Sequence, residues 1–530
     1  MPSACSRCGA FIFPEADGKI GLQLAPHTRA LVSRLSNTNE PPLDEDISVI
    51  RPIIEETRAH LATVDAEIAR LRYRLRELEE ERAILLPSHT RTMGILSPLR
   101  RLPPEILGGI FSQTLRPISD IFSIKNCPWV LTHVCSNWRA VALADPSLWS
   151  LIVVDFGVKR RYPLKMIGIQ IERARSLEIH FDGSESRSSR PQIALFDLLA
   201  KHAARWEDLS IKLTSHLVPR VMNLNLTRLC RVWVQWDTAE SQNSSYNSVD
   251  FLRTAISLVD INVLCEYRFL PTHLPLHHHL MRYNLDAPWD THVELLKSLP
   301  NLQEVRLCLD FDQGEWENPG EPITLPHLRR LYVSDPTCLR YLRAPGLEEI
   351  AIQSGDAGES PETFRSLEHF LRQSSCAPRS LRILGLLDAS LGAILRKCPS
   401  FAEVAVADSY DDSEDTRREI LSSFLTLFTT PTSVPSSIPF PNITAIRFGS
   451  HKPDATLFAL FFDMLESRCN VAECAMKTAE LMFPDSPVHP DPASISRIES
   501  LREAGLHVSL WSGETADRRV DRWFHCAEWI

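Results

Sequence analysis

Cys5 and Cys8, in CSRC, have the spacing of half a zinc knuckle. A closed structural zinc site needs four nitrogen or sulfur ligands, and no second C-x-x-C follows; His27 is the nearest addition. Two free thiols without a metal are therefore expected. A second cluster sets His273 beside His277, His278 and His279 in THLPLHHHLMRY. Three consecutive side chains diverge on a strand or a helix alike, so they do not converge on an ion, and a solvated loop is expected. The chain contains no P-loop, G-x-G-x-x-G, H-E-x-x-H or G-x-S-x-G, and its 19 glycines are few for building such turns. No catalytic residue and no cofactor site is expected.

With no chemistry in the motifs, the elements that present surfaces carry the reading. At 530 residues the chain exceeds the size of a single core, and a composition 44% apolar and 23% charged is that of a folded globular protein. The formal charge of -10 argues against nucleic-acid binding, which needs a concentrated basic face. The longest apolar run, Leu457 to Phe462, is stopped by Asp463, far short of a membrane span. MPSACSRCGAFIF is no secretory signal, so the thirteen cysteines are expected reduced, in the cytoplasm or nucleus.

Residues 1–46, ending in EPPLDED, read as a loose leader. A long coiled-coil helix is expected over 47–90, with Pro52 in its first turn and Pro87 near its end. Ile54, Leu61, Ile68 and Leu75 fall at heptad a; Val64, Leu71, Leu78 and Leu85 fall at d. In a parallel pair Glu67 would face Arg72 of the second copy, and Arg74 would face Glu79. The stripe fits a homodimer, or packing against the chain's own domain.

SPLRRLPPEILGGIFSQTL follows, where Pro103 and Pro104 open a helix expected to carry Ile106, Leu107, Ile110 and Phe111 on one face. In PWVLTHVCSNWRAVALADPSLW, Leu131, Val134, Cys135, Trp138 and Val141 recur at spacings of three and four. The spacing predicts a second helix that ends before Pro146.

Beyond Trp149 strand-like and helical runs alternate, and the strand runs are copies. LPNLQEVRLCL, LPHLRRLYVSD, APGLEEIAIQS, PRSLRILGLLD, CPSFAEVAVAD and FPNITAIRFGS share an apolar anchor, two residues, an apolar, one residue, an apolar. The anchors are Leu302, Leu328, Leu347, Leu381, Phe401 and Ile443. Pro300, Pro326, Pro345, Pro399 and Pro441 each precede an anchor by two residues, and Pro378 precedes by three. Such a proline stops the preceding helix and suits the first residue of a strand. Trp206 and Leu229 anchor two weaker copies; the stretch from Leu229 to Leu302 is not phased.

One repeat cannot cover its own apolar face, so the copies must stack. The expected fold is α/β: a long helix, a small all-α module over 98–150, and an irregular solenoid of parallel strands with intervening helices over 151–530. Residues between the apolar strand positions point away from the core. That places Arg231, Trp233, Gln235, Glu304, Arg306, Arg330, Tyr332 and Glu349 on one surface, of which Trp233, Arg306, Arg330 and Tyr332 are the candidate ligand-binding residues.

LPPEIL followed by WVLTHVCSNWRAVALADPSLW resembles the F-box-like domain in its expanded fungal version. The coiled coil before it and the leucine-rich repeats behind it look like the same architecture. The resemblance implies a helical trap that binds the Skp adaptor of a cullin-RING ubiquitin ligase, with the repeats holding a protein substrate. It assigns Leu102, Pro103, Pro104, Ile106, Leu107, Ile110 and Phe111 to the first contact segment. Val134, Cys135, Trp138 and Arg139 match the second segment, and Leu148 with Trp149 the closing one. The insertion RPISDIFSIKNCP is longer than in many members. Two expectations stand: a substrate receptor of the ligase, and an F-box-derived scaffold or sensing protein without one.

Overall fold

A computed structural model of the chain describes residues 3–4, 11–12, 25–37, 41–115, 127–158, 161–242, 245, 247–275, 279–311, 316, 321–353, 360–385, 390–408, 414–430, 439–451, 455–469, 474–484 and 490–524. They form two compact units, divided between Pro103 and Pro104. The division falls inside the span 98–150 expected as one module.

In the first unit, the expected loose leader contains helix α1, Pro26–Ser36, opened by a proline in its first turn. Helix α2, Asp44–Ile95, is longer at both ends than the expected 47–90. Asp44, Glu45 and Asp46 fill its first turn, where the helix dipole favours carboxylates, and Asp46 accepts the Leu43 N–H at 3.2 Å. Pro52 and Pro87 therefore lie inside the helix. No residue of α2 is buried.

The second unit begins with three helices, α3 (Pro104–Thr114), α4 (Pro128–Val134) and α5 (Ser136–Ala144). The single helix expected over the second apolar run is broken at Cys135, which is extended with φ -159° and ψ 172°. Its Sγ accepts the Trp138 N–H at 3.5 Å and so caps α5. Arg139 Nε donates to the Thr132 carbonyl at 2.7 Å, satisfying one of the open carbonyls at the end of α4.

Fourteen parallel strands follow in one sheet, arranged strictly in chain order. They are β1 (Leu151–Asp155), β2 (Leu177–Asp182), β3 (Trp206–Leu213), β4 (Arg231–Trp236), β5 (Asp260–Val263), β6 (Arg282–Asp286) and β7 (Glu304–Cys308). Then come β8 (Arg330–Val333), β9 (Glu349–Gln353), β10 (Ser380–Leu384), β11 (Glu403–Ala407), β12 (Ala445–Gly449), β13 (Thr478–Phe483) and β14 (His507–Ser512). The unphased stretch supplies β5 and β6, with Leu258 and Leu280 as buried anchors that lack the proline. Each strand pairs only with its sequence neighbours, so the unit grows in one dimension.

The anchors end a turn. Leu328 N–H donates to Leu325 O at 3.3 Å, Leu347 N–H to Ala344 O at 3.4 Å, Phe401 N–H to Cys398 O at 3.3 Å, and Ile443 N–H to Phe440 O at 3.3 Å. In each, the repeat proline is the second residue, where its fixed φ suits the turn. The prolines thus shape the turn before the strand, and none is the strand's first residue as expected. PRSLRILGLLD is phased three residues differently from the expectation: Leu381 pairs with Ile350 and Val404, each three beyond its anchor, so Pro378 occupies the anchor position. The one proline that departed from the two-residue spacing is itself at the anchor.

Alternate strand residues build the core. Val305 and Leu307, Leu331 and Val333, Ile350 and Ile352, and Val404 and Val406 are all fully buried on one face. The opposite face is largely polar over β2–β8. Toward its far end it is covered by the C-terminal helix Glu514–Phe524, which follows β14 through Gly513, a residue at φ +61°.

Candidate functional site

Two surfaces stand out, one on the helical module and one on the polar face of the sheet. On α3 the four apolar residues expected on one face split into two pairs. Leu107 and Phe111 point inward at 0% and 1% exposure, while Ile106 and Ile110 stand in solvent at 54% and 38%. The reason is angular. Residues four apart lie on one helix face, and a step of one residue turns about 100° away. Phe111 packs on Trp138, their ring centroids 4.8 Å apart, so Trp138 is half-buried packing rather than open surface. Val134, expected in the apolar stripe, is exposed together with Val130 one turn before it. Cys135 and Arg139 are exposed, and Leu148 is buried. Pro104 is exposed; in the first unit Leu102 is half-buried and Pro103 exposed.

The module is joined to the sheet by Trp149. Its indole is fully buried, its N–H donates to Ala142 O at 2.7 Å, and the Arg173 guanidinium lies 4.4 Å from its ring centre. Gln170 Nε2 donates to Leu151 O at 2.9 Å, tying the helix Leu164–Arg173 to β1.

Register places the sheet residues in ladders. Trp233, Asn262, Asn284, Arg306 and Tyr332 are successive neighbours across β4–β8, so Trp233, Arg306 and Tyr332 share one row. Arg231, Asp260, Arg282, Glu304, Arg330 and Glu349 form the adjacent row. The second row is a chain of ion pairs. Arg282 lies 3.3 Å from Asp260 and 3.4 Å from Glu304; Arg330 lies 3.8 Å from Glu304 and 3.0 Å from Glu349; Arg382 lies 2.8 Å from Glu349. Arg231 and Asp208 pair as well. Arg447 continues the pattern further on, 2.7 Å from Glu403 and 2.9 Å from Glu480. Arg330, expected as a ligand contact, is thus engaged along the sheet. Alternating signs across neighbouring strands support the pairing, since like charges directly opposite would destabilise it.

Tyr332 is not open either. It is 4% exposed, its hydroxyl donates to Gln353 at 3.0 Å, the Arg306 guanidinium lies 4.7 Å from its ring centre, and Phe524 of the C-terminal helix packs on it. Trp233 is half-buried, on strand β4 and outside the cluster that the C-terminal helix covers. Sequence reasoning missed that helix, although ETADRRVDRWF carries apolar residues at i, i+4, i+7 and i+8, one face of a helix.

Asp286, at the end of β6, accepts the Asp310 N–H at 3.3 Å. Burial, with the nearby Asp310 carboxylate, pushes its carboxyl up to about 7. The folded chain therefore keeps a proton that the unfolded chain releases near pH 4, so this group lowers stability as pH rises from about 4 to about 7. Asp286→Asn keeps the acceptor and removes the charge. It should match the wild type near pH 4 and exceed it at pH 8 by about 1–3 kcal/mol, read from denaturant midpoints at the two pH values. A constant difference between the two would contradict this.

Cys5, Cys8, His277 and His278 lie outside the described residues. His273 pairs with Asp250. Among the described residues no group of three or more His, Cys, Asp or Glu is placed to hold a metal, and no helix is long and apolar enough to cross a membrane. The class so defined is an α/β protein whose parallel strands stack in chain order after a small helical module. No protein-family model matches the chain, and no curated protein matches it.

Proposed function

We propose that the chain is a substrate receptor of a Skp-cullin-F-box ubiquitin ligase: α3 docks the adaptor, and leucine-rich repeats hold a protein substrate on the polar face of the sheet. The observation that carries this reading is the split of α3. A helix that buries Leu107 and Phe111 yet leaves Ile106 and Ile110 in water presents an apolar ridge, and such ridges mark partner sites. The receptor contributes proximity rather than chemistry, which agrees with a sheet face of internally paired charges. A scaffold or sensing protein of the same origin would act by protein-protein contact through its repeats and coiled coil, without the ligase. Affinity capture of the intact chain separates the two: adaptor and cullin together support the receptor, and adaptor without cullin supports the scaffold.

We further propose that α2 pairs with α2 of a second copy. Ile54, Leu61, Val64, Ile68, Leu71, Leu75, Leu78 and Leu85 are 37–58% exposed, an apolar stripe along a helix with no buried residue. The charges at the flanks, Glu67 with Arg72 and Arg74 with Glu79 of the second copy, attract in a parallel pair. Light scattering at about 10 μM should give a dimer for the intact chain and a monomer for Leu71→Asp with Leu78→Asp, because two charges in a seam cost several kcal/mol. A monomeric wild type would exclude pairing through α2.

A further inference from the structure

The C-terminal helix Glu514–Phe524 rests on the face assigned above to the substrate, and what it rests on differs from the remainder of that face. Across β4–β8 one row carries Trp233, Asn262, Asn284, Arg306 and Tyr332, all large or polar. Further along, the rows turn small at Ala351, Ala405, Ala407 and Gly449, with Arg382 and Arg447 between. The small residues leave a shallow trough, with Cys308 and Tyr332 on the strands to one side and Met482 and Trp511 to the other. Ala516, Val520, Trp523 and Phe524, one face of the helix, fill it. A Cβ on Gly449 would stand 3.1 Å from Val520 Cγ2 and 3.6 Å from Trp523, so glycine there sets the depth of the seat.

The charges beside the trough are paired with one another: Arg330 and Arg382 with Glu349, and Arg447 with Glu403. Lifting the helix would not strand those charges. The helix is tied at its rim, through Arg519 to Glu480 at 3.2 Å, Arg382 Nη1 to the Trp523 carbonyl at 3.3 Å, and the Asp521 carboxylate near Arg306 and His451. It joins β14 through Gly513, whose left-handed backbone glycine adopts without strain.

From this we infer that the trough is a docking site for an amphipathic helix, held by the chain's own C-terminal helix until a partner helix displaces it. The partner it fits carries a small residue, a β-branched residue four further on and an aromatic pair at seven and eight, with arginines on its outer face. This rests on the reading of the polar face as the substrate side.

The probe is a fluorescent peptide of residues 513–530, titrated into full-length protein. The tethered helix competes at an effective concentration on the order of millimolar, so wild-type protein should bind the probe weakly. Val520→Asp cannot bury its charge among Ala405, Ala407 and Gly449, so the tethered helix leaves and the probe should bind at least about tenfold tighter. Gly449→Cys with Val520→Cys, oxidised, should bind no probe and regain binding on reduction. A folded Val520→Asp chain that binds no better than wild type overturns the proposal. Should Val520→Asp fail to fold, amide exchange of the wild type decides: faster exchange over 516–524 than over β12 supports displacement, and equal protection makes the helix a fixed layer and overturns it. Adaptor binding measured in the same samples reports on α3 separately, so failure of the docking site is distinguished from failure of the receptor reading.

Discussion

Ile106→Asp combined with Ile110→Asp should abolish binding of a purified Skp-type adaptor while leaving the thermal midpoint of the chain nearly unchanged. Both side chains are exposed in the free protein, and exposed substitutions usually shift stability by no more than about 0.5 kcal/mol. In the complex each carboxylate would be buried unpaired, at several kcal/mol apiece. Together that is at least about a thousandfold in affinity, enough to erase a micromolar complex from a titration. Leu107→Asp serves as the contrast. Its side chain is fully buried, so it should unfold the module and lose binding and stability together. Retention of full adaptor affinity by the double variant would move the docking surface off α3.

Trp149→Ala is the second large effect, on stability. The change empties a fully buried site, leaves Ala142 O without its donor, and takes the ring away from Arg173 and from Trp129, whose ring centre is 5.1 Å distant. Large-to-small core changes at tryptophan cost about 3–5 kcal/mol. Because Trp149 joins the helical module to β1, the variant should also show two thermal transitions where the wild type shows one. The receptor reading depends on this joint, since a substrate held on the sheet is presented in a defined place only if the adaptor-docking helix is rigidly connected to it. Calorimetry with one transition and a loss under about 1 kcal/mol would show that Trp149 is not what couples the module to the sheet.

The strands were legible where local chemistry repeated. Leu328, Leu347, Phe401 and Ile443 end proline-containing turns, and the apolar residues three and five beyond each anchor are fully buried. β5 and β6 keep the same apolar spacing, from Leu258 and Leu280, but Ile256 and His278 stand where the other copies have proline, which hid them. β2 and β14 have Ser176 and Gly505 at the anchor position and give no such signal at all. On α3 four apolar residues within six positions mark a helix, yet which pair faces inward depends on where Trp138 and α5 pack, a contact between separate elements. Arg330 and Tyr332 alternate with the fully buried Leu331 and Val333 along β8, and that alternation is local. That Arg330 is held by Glu304 and Glu349, and that Tyr332 lies beneath Phe524, depends on strand neighbours and on a helix far along the chain.

Adaptor-dependent recruitment of a cullin tests the receptor reading most directly, measured by size-exclusion chromatography with the purified full-length chain, a Skp-type adaptor and a cullin. The chain should co-elute with the cullin when the adaptor is present and fail to do so without it, and Ile106→Asp with Ile110→Asp should behave as though the adaptor were missing. A wild-type chain that stays apart from the cullin at micromolar concentrations with adaptor present would contradict the reading.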